Sequence, residues 1–124
     1  MEKFIKIIIL SASLSFIASS LFAQKAEKIQ LTQTTGEFTQ KELKLKAGKE
    51  YVFEVKNDGV DHELGFVIAP KGQTAQKNHI PEAYLANAIK NGETSTSKTV
   101  TLEKGEYVYF CPLNPTPLYT LIVK

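Results

Sequence analysis

The chain has 124 residues with nearly balanced charge, 15 basic side chains against 13 acidic, and every basic one is a lysine. With no arginine, bidentate recognition of phosphate or nucleic acid has no residue to carry it. A single cysteine excludes an internal disulfide, and a chain this short holds one core.

Met1 to Lys6 is basic through Lys3 and Lys6, Ile7 to Ala23 carries no charge, and the small residues Ala18, Ser19 and Ser20 lead up to Ala23. That order is a secretory signal over residues 1–23, with cleavage expected after Ala23 and a retained membrane anchor as the alternative. A domain of residues 24–124 is then expected in the periplasm or another exported space. No cysteine beside the cut offers a lipid attachment point, so no membrane association is expected after cleavage.

Short segments with strand chemistry follow. Lys28 to Thr32 alternates Ile29 and Leu31 with polar neighbours, and Glu42 to Lys46 does the same with Leu43 and Leu45 before an Ala47-Gly48 turn. Tyr51, Phe53 and Val55 share one face of the next strand, which Asn57-Asp58-Gly59 closes. A further strand is expected from His62 to Ile68. The stretch EAYLANAIKNG differs: Pro81 stands where a helix begins, Gly92 where one ends, and Ile80, Tyr84, Leu85, Ala88 and Ile89 recur at helical spacing. One short helix is predicted there. Strands resume over Ser97 to Leu102, Glu106 to Cys111 and Tyr119 to Val123, with a Glu103-Lys104-Gly105 turn after the first. Many short strands and one helical insertion predict an all-β sandwich, not a parallel α/β sheet.

The chemistry concentrates in GEYVYFCPLNPTPLYTLIVK, where the only cysteine, Cys111, ends a strand and opens a loop containing Pro112, Pro115 and Pro117. This stretch resembles the C-terminal metal loop of cupredoxins of the plastocyanin, amicyanin and pseudoazurin type. Their loops read cysteine, two residues, histidine, proline, one residue, methionine, then a strand. In register and without a gap, Cys111 stands at the cysteine, Asn114 at the histidine, Pro115 at the proline and Pro117 at the methionine. Upstream, KNDGVDHELGFV resembles the segment that supplies the family's other histidine and places His62 there.

The resemblance implies a cupredoxin-like Greek-key β-sandwich and a copper site formed by His62 and Cys111, with Asn114 or a backbone oxygen completing it. A blue centre needs a thiolate, two imidazoles and a weak axial thioether. Here an amide replaces one imidazole and a proline the thioether, which implies a modified site, suited to Cu(I), for copper handling or electron transfer with a redox or copper-transfer protein as partner. The alternative is a metal-free module of the same fold that binds a partner through the loop end. Each residue also has a structural role open to it: Cys111 as a small buried side chain, His62 as an ordinary strand-start histidine, Asn114 as a loop organiser. His79, just before the predicted helix, is the other imidazole and is expected to be solvated. A Cys111 nucleophile with His62 as base would make an enzyme, but no separate carboxylate can be assigned to orient the base, and no catalytic activity is expected. Tyr107, Tyr109, Phe110 and Tyr119 are expected to pack in the core and across strands.

Overall fold

The alternation of Tyr51, Phe53 and Val55 becomes strand β4 (Glu50–Asn57) in the computed structural model, which describes residues 25–124. The expected leader over residues 1–23 lies outside the described residues. The other strands are β1 (Glu27–Thr34), β2 (Glu37–Phe38), β3 (Glu42–Leu45), β5 (Val67–Pro70), β6 (Thr94–Thr101), β7 (Gly105–Phe110) and β8 (Tyr119–Val123). They form two four-stranded sheets, ordered β2-β1-β4-β6 and β3-β8-β7-β5. Two neighbouring pairs are parallel, β1 with β4 and β3 with β8, and the rest are antiparallel. The predicted all-β sandwich is what forms.

Inward-facing residues of both sheets meet in one aromatic core. Phe38, Phe53, Phe66 and Tyr109 are at most 1% exposed. Phe38 packs edge-on against Phe66, Tyr109 and Tyr119 with ring centres 5.5–6.0 Å apart, and Tyr109 stacks on Tyr119 at 5.4 Å. Such contacts add to the gain from area burial. The two tyrosine hydroxyls of this core are matched: that of Tyr109 donates to the Gln40 carbonyl at 2.7 Å, and that of Tyr119 accepts the Phe38 N–H at 3.2 Å. The β4–β6 register slips between Val52 and Glu54. The Phe53 N–H beside that slip donates to the buried Ser97 hydroxyl at 2.9 Å, so the irregularity leaves no orphaned donor there.

Two expected elements change. Residues 82–92 do not form a helix; the region contains only two single 3-10 turns, Gln76–Asn78 and Pro81–Ala83. Its backbone groups bond outward instead. The Ile80 N–H reaches the Ile68 carbonyl at 2.9 Å, the Ala86 N–H reaches Thr96 at 2.9 Å, and Ile89 and Leu64 exchange bonds of 3.0 and 2.9 Å. Residues 71–93 thus cross from β5, the edge of one sheet, to β6, the edge of the other, and supply partners to both exposed edges. Tertiary hydrogen bonds outcompete helical ones because the segment is anchored at both ends on the open edges of β5 and β6. The strand expected from His62 begins only at Val67, since residues 62–66 turn across the sandwich with Leu64 bridged to Ile89. Phe38, fully buried on a two-residue strand, has no periodic neighbours to announce it.

Candidate functional site

The loop of residues 111–118 joins β7 to β8 at one end of the sandwich. At its entrance the Cys111 N–H donates to the Thr116 hydroxyl at 3.1 Å, which folds the loop back on its own start. The Cys111 side chain is buried at 5% exposure, and its sulfur accepts three backbone N–H groups: Gly65 at 3.4 Å, Leu113 at 3.4 Å and Asn114 at 3.2 Å. Gly65 lies flush against the loop, where a β-carbon would meet the Pro112 ring at 3.4 Å.

Asn114 is held against β1. Its amide nitrogen donates to Gln33 Oε1 at 3.0 Å and more weakly to the Thr34 carbonyl at 3.4 Å. Both side chains of the pair are buried, and Gln33 Nε2 has no hydrogen-bond partner. The apolar loop residues point the other way: Leu113 is 54% and Leu118 is 56% exposed. Pro112, Pro115 and Pro117 are exposed beside them.

His62 is exposed, and its Nδ1 lies 3.0 Å from the Glu63 carbonyl. A carbonyl only accepts, so that nitrogen carries the proton. The side chains of this segment that enter the core are Leu64 and Phe66. Asn57 sets the path: its buried amide nitrogen donates to the carbonyls of Val60, His62 and Ile89 at 3.1, 3.2 and 3.2 Å, and its oxygen accepts the Val60 N–H at 2.9 Å. His79 is half-buried rather than freely solvated, and both its nitrogens are engaged. Nε2 donates to the Thr74 carbonyl at 2.9 Å, so Nδ1 accepts the Tyr84 hydroxyl at 2.7 Å.

The structure therefore brings Cys111 and Asn114 together through the backbone N–H of Asn114. It turns the His62 ring outward, hydrogen-bonded to Glu63 and not to the sulfur. Pro117 and Leu118 carry no donor atom, and the only methionine is Met1. Among the described residues, no group of three or more His, Cys, Asp or Glu side chains is arranged to hold a metal ion. A thiolate with two imidazoles cannot be assembled from these residues, so they do not fit a blue-copper centre. Gln33, Gly65, Thr116 and Asn57 complete the site and were not singled out as site residues: Asn57, Gly65 and Thr116 lie inside the two stretches that carry the resemblance, and Gln33 left only the trace of a polar residue two positions after Leu31 on the inward face of β1.

A family model described as a cupredoxin-like domain matches residues 6–123. No curated protein matches the chain. Among solved structures, auracyanin B is 17% identical with a TM-score of 0.67, covering 82% of this chain and 91% of its own. Auracyanin A, a "blue" copper protein from Chloroflexus aurantiacus, is 18% identical with a TM-score of 0.65, covering 81% of this chain and all of its own. A copper-containing nitrite reductase from Thermus scotoductus is 20% identical with a TM-score of 0.51, covering 82% of this chain but 23% of its own. At these identities the likeness is one of fold. No helix among the described residues is long and apolar enough to cross a membrane.

Proposed function

The chain belongs to the cupredoxin-like family, and from that premise we propose that it is an exported, metal-free binding module that contacts a protein partner through the loop of residues 111–118. One observation carries this: the loop turns its polar groups inward, onto Gln33, Thr34 and the Cys111 sulfur, and its apolar side chains Leu113 and Leu118 outward. Two exposed leucines on a loop stiffened by three prolines form a preorganised apolar contact, and rigidity lowers the entropy lost on binding. Placing a photo-crosslinker at Leu118 tests the proposal in exported protein, with the same group at the exposed Lys56 on the outward face of β4 as control. A discrete adduct at position 118 that is absent at position 56, is lost on Leu113→Asp and survives Cys111→Ser supports it. Equal labelling at both positions refutes it.

Copper handling is the second reading, favoured by the family and by the soft sulfur donor that Cys111 places at the loop entrance. It requires Cu(I) to bind the purified protein in a competition assay, with binding lost on Cys111→Ser. Absence of Cu(I) affinity, together with no thiolate-to-copper band on adding Cu(II), removes it.

A further inference from the structure

The loop end joins two pieces of chain just beyond the β5–β7 ladder, which ends at Val67 and Phe110. The segment before β5 contributes the Gly65 N–H and the loop contributes those of Leu113 and Asn114, and all three converge on one sulfur at 3.4, 3.4 and 3.2 Å. Thiol sulfur is a weak acceptor, so each bond by itself adds little. The larger effect is what the sulfur prevents: the buried Asn114 N–H would lose its acceptor outright, and the part-buried Gly65 and Leu113 N–H groups would lose theirs with it.

We propose that the Cys111 sulfur is a structural acceptor that ties the segment before β5 to the loop in place of a metal ion. The Asn114–Gln33 pair fastens the same loop to β1, so the end of the sandwich is ordered by protein groups alone. The disagreement between the family's ligand pattern and this donor set then has a physical sense. The cysteine keeps a function after the metal donors are gone, because the long C–S bond and large sulfur let three donors approach from different elements. A serine oxygen, shorter in reach and best at about 2.9 Å, cannot serve all three without the backbone moving.

Amide hydrogen exchange on the purified protein stripped of metal tests this. In the unsubstituted chain the Gly65, Leu113 and Asn114 amides exchange slowly without metal, and adding Cu(I) slows them no further. In Cys111→Ala all three accelerate together by about tenfold or more relative to the core amide of Leu121. Cys111→Ser gives an intermediate result, with at least one of the three still slow. Near-intrinsic exchange at these amides in the metal-free parent, or slowing that appears only with Cu(I), overturns the proposal. So does retained protection in Cys111→Ala. If Cys111→Ala does not fold, the parent with and without Cu(I) decides between the two outcomes.

Discussion

Asn114→Ala removes the amide that donates to Gln33 Oε1 at 3.0 Å. Asn114 is 4% and Gln33 0% exposed, so bulk water does not replace the lost bond. Gln33 Nε2 already lacks a partner, and the substitution leaves the whole buried carboxamide unsatisfied. An orphaned buried acceptor costs roughly 1–3 kcal/mol, and the bond to Thr34, at 3.4 Å, is too long to add much. In a domain of this size each kcal/mol moves Tm by roughly 4–8 °C, so a fall of roughly 4–24 °C is expected. Gln33→Met removes the Nε2 that was already unsatisfied but leaves the Asn114 amide only its long bond to Thr34; the orphan removed offsets the one created, in a side chain of similar volume, and the cost is expected to be under about 1 kcal/mol. The double variant should lie close to Gln33→Met alone, a coupling of about 1 kcal/mol or more. Urea and thermal denaturation of the four proteins, followed by circular dichroism, measures the cycle. If Gln33→Met costs as much as Asn114→Ala, or if the two costs simply add, the buried amide pair does not work as described.

Asn57→Ala removes three donated bonds and one accepted bond in a buried site and is expected to cost at least about 3 kcal/mol, seen as a lower urea midpoint with an unchanged slope. Burial, and to a lesser degree the neighbouring Tyr119 and Glu42, push the Tyr109 hydroxyl up to about 12. The unfolded chain releases that proton near pH 10, so this contribution to stability is complete below pH 10 and is lost as pH rises through 12. An ultraviolet titration in which every tyrosine of the folded protein ionises near pH 10 would contradict it. Asn114→His with Pro117→Met restores two family residues of the loop, yet the outward His62 ring leaves the trigonal set incomplete. The copper-treated double variant is expected to stay without an intense visible band, and a blue product would show that His62 swings inward.

Most of the sandwich was legible because its strands alternate. Leu31, Phe53, Val55 and Leu121 are all buried where period-two patterning puts them. The failures share a cause. The helix predicted around Tyr84 to Ile89 has the right spacing, but its backbone found partners on Ile68, Thr96 and Leu64, residues distant in sequence. Phe38 belongs to a strand of two residues, too short for any period.

At the site, the order of residues alone determined that Cys111 stands where a strand gives way to a proline-stiffened loop, and that the second imidazole and the thioether of the family pattern are missing. Those are statements about residue type and local spacing, which a chain carries wherever it folds. Only the tertiary structure decided which way each group faces. His62 turns to solvent because Asn57 holds its backbone while Leu64 and Phe66 take the inward positions. Asn114 turns inward because Gln33, 81 residues away, offers an acceptor. The sulfur meets Gly65 across 46 residues. The Gly65 contact forms only once β5 has paired with β7, and the Gln33 contact only once the two sheets have closed on each other; together they separate a ligand loop from a self-contained hydrogen-bonded one.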